Sequence, residues 1–360
     1  STTPEPHRRQ FIVGPEPRRP ITSWTTRSLP FDLWLSHCPE LPVAVSTGST
    51  MWILLGLAVQ TVPGAPDPID ELRQCSPGQV VERTHNWAGR WVLIGNGELI
   101  LDASGQLGCH WTRTAGGLVW ASSSPAVVAL TTEVGPRRPH RLRYERGLSW
   151  VVPPLGHRMG VHRLLPSRIL DLRTGSTRPR ALLPRIESSV DPIDALAENL
   201  VECLNRLPAG PVHLALTAGG DSRAVLAATT ATNRPVQLFT RRSARMSIAD
   251  RLIPPRLAEI VGRDHTELLP SRPRQERWTV VTAHSDRSVA RPDVQPFLDG
   301  TRDGLTGIEI GGQGFGFGKA ARREWPPDID DHERLAEAMA DALDEPVESP
   351  NREGLARWMA

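Results

Sequence analysis

The chain has 360 residues, of which 39% are hydrophobic and 23% are charged, a composition typical of globular proteins in a chain long enough for two domains. Its formal net charge of +2 is too small to indicate a nucleic-acid partner, and we expect none. Almost all basic residues are arginine and Lys319 is the only lysine, so arginine-rich stretches carry little information about function.

The cysteines and the apolar runs bear on location. The four cysteines are widely spaced, with no Cys-x-x-Cys pair and no metal-ligand spacing: Cys38, Cys75, Cys109 and Cys203. We therefore expect no disulfides and a cytoplasmic protein. The longest apolar run, residues 51–59, is far shorter than the roughly 20 residues that span a bilayer, so no membrane association is expected. The proline- and arginine-rich start of the chain does not resemble a signal peptide.

The first half of the chain is predicted to form mainly strands. Residues 11–13 have the composition of a short strand, and residues 34–59 are apolar enough for two strands or for a strand and a helix. From Trp87 onward, apolar runs are separated by Gly-Asn-Gly, Ala-Ser-Gly-Gln and Ala-Gly-Gly, which are typical of hairpin turns and predict an antiparallel meander. Ser123 and Ser124 precede a proline and predict the N-cap of a short helix.

The second half has a different pattern. A stretch rich in proline, arginine and glycine at residues 149–186 is interpreted as the end of the first domain and a linker. After it, helices and strands alternate, which indicates βαβ units and a parallel sheet. The predicted order is helix 191–207, strand 212–216, helix 223–230, strand 236–240 and helix 248–261. We therefore predict an α/β protein with two domains, residues 1–180 and residues 190–360.

The junction between strand 212–216 and helix 223–230 carries the most informative motif. Thr-Ala-Gly-Gly-Asp-Ser joins the two, and such small residues allow a tight turn whose backbone N–H groups converge on an anion at the positive end of the helix. The hydroxyls add donors, and the aspartate could hold a Mg²⁺ ion that bridges phosphate oxygens. No Gly-Lys-Ser/Thr follows, so this is not a Walker A loop, and a purely structural turn is the alternative. The predicted anion site comprises Thr217, Ala218, Gly219, Gly220, Asp221 and Ser222.

The order Ser/Thr, small, Gly, any, Asp, Ser resembles the pyrophosphate loop of the ATP-pyrophosphatase enzymes, which split ATP between its α and β phosphates. The segment after it, with Asp250, Gly262 and His265, resembles asparagine synthetases and β-lactam synthetases. The later run IEIGGQGFGFGKAARR is similar to the second glycine-rich loop of that family, which lies beside the nucleotide. This resemblance assigns Gly312 and Gly314 to the nucleotide site.

Upstream, GRWVLIGNGELILDASG and ASSSPAVVAL resemble the sheet of the class II glutamine amidotransferase domain. The resemblance therefore implies an Ntn-hydrolase-like antiparallel sheet domain followed by a parallel-sheet ATP-pyrophosphatase domain of the HUP type. It implies ATP and Mg²⁺ as cofactors, with the metal on Asp221. The implied activity is AMP-forming activation of a carboxylate substrate or precursor peptide, followed by amide or macrolactam bond formation, in the biosynthesis of a peptide natural product.

The sequence departs from the family pattern in three places. The chain begins Ser-Thr-Thr and has no cysteine before Cys38, whereas the family's glutaminase uses an N-terminal cysteine, so we expect no glutaminase activity. Gly316 stands where relatives carry an acid that helps to bind magnesium, and Glu309 is the nearest substitute. Only about 40 residues follow the second loop, so we expect no counterpart of the family's catalytic helical subdomain in these residues. A partner protein could supply those elements.

Lys319 stands in the second loop where some relatives have arginine, and we predict it as a catalytic residue that stabilises pyrophosphate. A solvated lysine at a helix start is the alternative. For the whole chain, the second hypothesis is a non-catalytic homologue that binds a partner enzyme or precursor peptide. A tRNA-modifying thiolase of the same superfamily fits less well, because it needs reactive cysteines near the loop and Cys203 is the only cysteine of the second domain.

Overall fold

A computed structural model describes residues 7–138, 142–143, 149–180, 191–242, 246–269 and 307–311, together with Arg334, Glu337 and Arg352. The fold is mixed α/β, with antiparallel sheets in the first part of the chain and a parallel four-stranded sheet in the second. The predicted α/β class is confirmed at this level.

Strands β1 to β14 belong to the first part of the chain. They are β1 Phe11–Gly14, β2 Thr25–Leu29, β3 Leu33–His37, β4 Val43–Thr47, β5 Met51–Gln60, β6 Trp87–Gly95, β7 Glu98–Leu101, β8 His110–Arg113, β9 Val119–Ser122, β10 Leu142–Arg143, β11 Ser149–Trp150, β12 Val161–Arg163, β13 Arg168–Asp171 and β14 Thr177–Pro179. One antiparallel sheet has the order β12-β8-β9-β1-β3-β2, and the other has the order β14-β13-β7-β6-β5-β4. β10 and β11 pair as a two-stranded ribbon.

The two six-stranded sheets pack face to face. Because successive residues of a strand point to opposite faces, Phe11 and Val13 of β1 enter the layer between the sheets, together with Leu55 of β5 and Val92 of β6. Ile12, between the two inward residues of β1, belongs to a separate cluster on the outer face. Both faces of each sheet are therefore apolar, so the outer faces must be shielded from water by other elements.

Three short helices cover the outer faces. α1 Pro68–Gln74 and α2 Pro77–Arg83 pack against the second sheet, where their residues join Trp52 and Trp91 in one buried cluster. A single 3₁₀ turn, Thr84–Asn86, follows α2. α3 Pro125–Thr131 packs against β8 and β9 of the first sheet. The resulting order of layers is helix, sheet, sheet, helix.

The local predictions for this region are confirmed in part. The strand at residues 11–13 is present, and Ser124 caps α3 because its hydroxyl accepts a hydrogen bond from the Ala126 N–H at 3.2 Å. The prediction for residues 34–59 is wrong, since this stretch holds three strands, β3, β4 and β5, and no helix. β5 pairs with β4 through residues 51–55 and with β6 through residues 52–60, and this pairing satisfies backbone groups of an apolar run that could also have been helical.

The second part of the chain alternates helix and strand as predicted. Its elements are α4 Pro192–Arg206, β15 Val212–Ala215, α5 Gly220–Thr230, β16 Val236–Arg241, α6 Ile248–Ile260, β17 His265–Leu268 and β18 Ile308–Gly311. All strand pairs are parallel, in the order β17-β16-β15-β18. Val212 and Leu214 of β15 are buried against Leu226 of α5, Leu204 of α4 and Ala258 of α6.

α4 is the amphipathic helix predicted for residues 191–207, but only its second half is buried. Ile193 is 73% exposed and Leu196 is 42% exposed, whereas Leu204 is 3% exposed and packs with Val59 of β5. The guanidinium of Arg206 also reaches the first part of the chain, donating to the Ala65 carbonyl at 2.6 Å. Among the helices of the described ranges, none combines the length and apolar character needed to cross a bilayer.

Candidate functional site

The parallel sheet reverses its strand order at β15. From β15 the chain passes through α5 to β16 and through α6 to β17 on one side, while β18 lies on the other side of β15. In open parallel sheets such a reversal opens a crevice at the carboxyl ends of the strands, where ligands bind. The predicted loop Thr217–Ser222 follows β15 directly at this edge.

The second glycine-rich segment leaves from the adjacent strand. Gly311, the last residue of β18, pairs in register with Ala215, the last residue of β15. The carboxyl ends of the two strands that precede the two predicted loops are therefore neighbours. Gly312, Gly314 and Lys319 themselves lie outside the described residues.

Helix α5 begins at Gly220, three residues before the predicted start at Arg223. Gly220, Asp221 and Ser222 therefore form its first turn, where backbone N–H groups have no acceptor within the helix. No acceptor for these three N–H groups is found in the parts of the chain that the structure describes. Three N–H groups and the positive end of the helix dipole thus remain available to an anion.

The other N–H groups of the loop are already used. The Thr217 N–H donates to the Ser222 hydroxyl oxygen at 3.1 Å, and the Gly219 N–H donates to the Thr217 hydroxyl oxygen at 3.1 Å. The Ser222 hydroxyl is 3.1 Å from the Thr217 carbonyl and 3.2 Å from the Gly219 carbonyl, either of which can accept its proton. Ser222 is 3% exposed. Its hydroxyl therefore stabilises the loop, and the contribution left to a ligand is its backbone N–H.

Asp221 and Gly220 border the open side of this loop. The Asp221 carboxylate is partly exposed and makes no hydrogen bond or ion pair with any described residue. A negative charge in the first turn is favourable for the helix, and the same carboxylate is a suitable oxygen ligand for Mg²⁺. A Cβ atom built on Gly220 would meet nothing within 4 Å, so the fold itself does not require glycine at this position.

Two residues from later in the chain are linked to the loop, Asp250 directly and His265 through Thr240. The Asp250 carboxylate, at the start of α6, accepts the Ala218 N–H at 2.9 Å. His265 of β17 lies 2.8 Å from the Thr240 hydroxyl, which donates to the Leu216 carbonyl at 2.7 Å. Because that hydroxyl has a single proton, His265 must donate from its Nε2–H. Burial lowers the pKa of His265, and the nearby Glu267 carboxylate partly opposes the shift.

Gly262, the remaining residue of the quoted segment, has a structural role. It has a φ of +65° immediately after α6 and its N–H donates to the Glu259 carbonyl at 3.1 Å. The following N–H, of Arg263, donates to the Ala258 carbonyl at 2.9 Å. These two bonds form a Schellman motif, which explains a glycine at this position without reference to a ligand.

Glu309, the nearest substitute for the missing acid, is engaged elsewhere. Its carboxylate forms an ion pair with Arg241 at the end of β16. The Arg241 guanidinium also lies over the Phe239 ring, 4.9 Å from its centroid. Glu309 pairs in register with His213, four residues before the loop begins. Arg241 is not among the predicted site residues, although an Arg-Arg pair at the end of the predicted strand 236–240 is a local sign of basic groups at this edge.

The described residues outside the loop do not favour a clustered metal site or a reactive cysteine. Within the described residues, no group of three or more His, Cys, Asp and Glu side chains is arranged to hold a metal ion. Cys203 lies on α4, partly buried against the core of the second part of the chain, and burial raises its pKa, which disfavours a reactive thiolate.

Comparison with known proteins adds no family to this description. A scan against protein-family models found no match for the chain, and a search of curated protein sequences found none.

Proposed function

We propose that the second part of the chain binds ATP with the loop Thr217–Ser222 and activates a carboxylate by transferring AMP to it. The observation that carries the proposal is the first turn of α5, where three free N–H groups lie at the carboxyl edge of a parallel sheet, at the reversal of its strand order. The sequence order Ser/Thr, small, Gly, any, Asp, Ser at this place is the second support.

In the proposed reaction the protein positions ATP and the carboxylate and does not itself form a covalent bond to either. A carboxylate oxygen attacks the α-phosphorus of ATP, the bond to the β-phosphate oxygen breaks, and the electron pair leaves with pyrophosphate. The N–H groups of Gly220, Asp221 and Ser222 would bind the leaving pyrophosphate, whose negative charge grows during the step. Mg²⁺ supplies charge neutralisation when bound, and Asp221 is the residue proposed to hold it. An amine nitrogen then attacks the acyl carbon of the adenylate, the bond from that carbon to the AMP phosphate oxygen breaks, and AMP leaves with the electron pair while the amine loses a proton and becomes an amide.

The first part of the chain is proposed to be an Ntn-hydrolase-like domain, and the second a HUP-type ATP-pyrophosphatase domain. The layer order helix, sheet, sheet, helix supports the first assignment, and the parallel sheet with its loop after β15 supports the second. The domain limits 1–180 and 190–360 remain predictions. We further propose that the acceptor is a carboxylate substrate or precursor peptide in natural-product biosynthesis.

A non-catalytic binding subunit is the second candidate. The engagement of Glu309 by Arg241 favours it, because this carboxylate is not free to act as the second magnesium ligand. In that case the loop would be a remnant, and the chain would bind a partner enzyme or precursor peptide without turning over ATP.

Titration calorimetry with ATP and MgCl₂ tests the proposal on the full chain. We expect magnesium-dependent binding in the wild type and its loss in Asp221→Asn. Asp194→Asn is the matched control, since Asp194 also lies in the first turn of a helix, α4, but without a glycine loop before it. Binding lost equally in both variants, or no binding by the wild type, would contradict the proposal. Release of AMP and pyrophosphate with a candidate acid present would separate the enzyme from the binding subunit.

A further inference from the structure

The loop Thr217–Ser222 is connected to helix α6 by one side chain. The Asp250 Oδ1 accepts the Ala218 N–H at 2.9 Å, across 32 positions of sequence. The other bonded N–H groups of the loop, those of Thr217 and Gly219, donate to hydroxyls of the loop itself, whereas the Ala218 N–H donates to a charged side chain of another helix. It fixes the orientation of the peptide group before Ala218.

The Asp250 carboxylate is itself oriented by the start of its own helix. Ser247 is the N-cap of α6, and its hydroxyl oxygen accepts the Asp250 N–H at 3.0 Å. The same hydroxyl donates to the Asp250 Oδ2 at 2.8 Å. One carboxylate oxygen is therefore held by the cap, and the other is presented to the loop. The capping arrangement and the loop contact form one continuous hydrogen-bonded unit.

The backbone N–H groups of the loop fall into two sets, and the hydrogen-bonded unit with Asp250 belongs to the first. Those of Thr217, Ala218 and Gly219 are bonded within the protein, whereas those of the first turn of α5 have no acceptor in the described residues. An anion site is effective when its donors are fixed before the ligand arrives, since ordering them on binding costs free energy. Releasing the Ala218 N–H would allow the peptide group to rotate and would loosen the set that faces the anion.

We propose that Asp250 is a positioning residue that fixes the loop for the pyrophosphate portion of the nucleotide; this inference rests on the proposed function. The negative charge of Asp250 has the opposite effect on affinity, because a carboxylate near an anion site repels the ligand. The two effects are separable. If repulsion decided affinity, Asp250→Asn would bind pyrophosphate more tightly than the wild type. If positioning decides it, Asn keeps an acceptor for the Ala218 N–H and retains affinity, while Ala does not.

The test compares Asp250→Ala and Asp250→Asn with the wild type in calorimetric titrations with magnesium pyrophosphate and with ATP and MgCl₂. The control is Asp191→Ala, which removes another carboxylate that accepts a backbone N–H at a helix start, from Ile193 at 2.8 Å, far along the chain from the loop. We expect about a tenfold loss of affinity in Asp250→Ala, a change below about threefold in Asp250→Asn, and no change in Asp191→Ala.

A second readout needs no ligand. Amide hydrogen exchange of the peptide that spans residues 216–223 should become faster in Asp250→Ala but not in Asp250→Asn or Asp191→Ala. Wild-type affinity in Asp250→Ala, or tighter binding in Asp250→Asn, would overturn this inference and leave the proposed function standing. A wild-type protein that binds neither ligand would overturn both.

Discussion

Gly220 offers a direct test of whether the start of α5 is built for the fold or for a ligand. A Cβ atom at this position would meet no heavy atom within 4 Å, and the residue lies in a helical turn. Gly220→Ala should therefore stabilise the folded chain by about 0.4–1 kcal/mol, because alanine has less conformational freedom to lose on folding. If an anion contacts the N–H groups of this turn, the added methyl group occupies its approach, and we expect at least a tenfold loss of affinity, or about 1.4 kcal/mol.

Gly307 is the matched glycine that the fold does require. Its φ is +117°, and a Cβ atom there would lie 2.2 Å from the Pro211 carbonyl oxygen. A left-handed conformation costs an ordinary residue about 1–2 kcal/mol, and the close contact adds to this cost. Gly307→Ala should therefore destabilise the chain, because the contact can be relieved only by moving β18 away from the segment that precedes β15.

Urea unfolding and ATP titration of both variants separate the two roles. The expected pattern is a stable Gly220→Ala protein that binds ATP poorly, and a Gly307→Ala protein whose unfolding midpoint is lowered. Wild-type ATP affinity in Gly220→Ala would refute the placement of the anion at the first turn of α5. A lowered unfolding midpoint in Gly220→Ala would instead refute the claim that the space beside this residue is open.

Three further predictions concern the first part of the chain. Glu71 is buried and accepts hydrogen bonds from Gln60 at 2.9 Å and from the Trp87 indole at 2.8 Å. Glu71→Leu leaves these two buried donors unpaired, so it should lower the free energy of unfolding, measured in urea, by about 2–6 kcal/mol, and Glu71→Gln should lower it less. Burial lowers the pKa of His37 below its ordinary 6.5. Its contribution to stability is therefore present above pH 6.5 and is lost as the pH falls through the lowered pKa. The melting temperature should drop on acidification, and it should drop less in His37→Gln. Cys109 is fully buried and burial raises its pKa, so iodoacetamide should label it only after unfolding, as mass spectrometry would establish; labelling of the native protein would contradict its burial.

The errors in the predicted elements have local explanations. The start of α5 was placed at Arg223 because Gly, Asp and Ser are weak formers of helix interiors, yet these residues are tolerated or favoured in a first turn. The prediction of two elements in residues 34–59 gave too little weight to the turn-forming residues within the stretch, Pro-Glu-Leu-Pro at 39–42 and Ser-Thr-Gly-Ser-Thr at 46–50. The structure divides this stretch into three strands, whose pairing partners include β1, β2 and β6.

The sequence by itself determined the features that depend on neighbouring residues. These include the short strand at residues 11–13, the cap at Ser124, the alternation of helix and strand after residue 190, and the small residues between β15 and α5. Each follows from side-chain spacing or backbone conformation within a few positions, so a local pattern is sufficient to predict it.

Only the tertiary structure decided which distant groups meet. The strand order β17-β16-β15-β18 places the end of β18 beside the end of β15, the Asp250 carboxylate accepts the Ala218 N–H, and Arg241 forms an ion pair with the Glu309 carboxylate. The two side-chain contacts join residues that are 32 and 68 positions apart. Their formation depends on how the whole sheet closes its core, because loop closure and burial are set by all the elements together and not by any one segment.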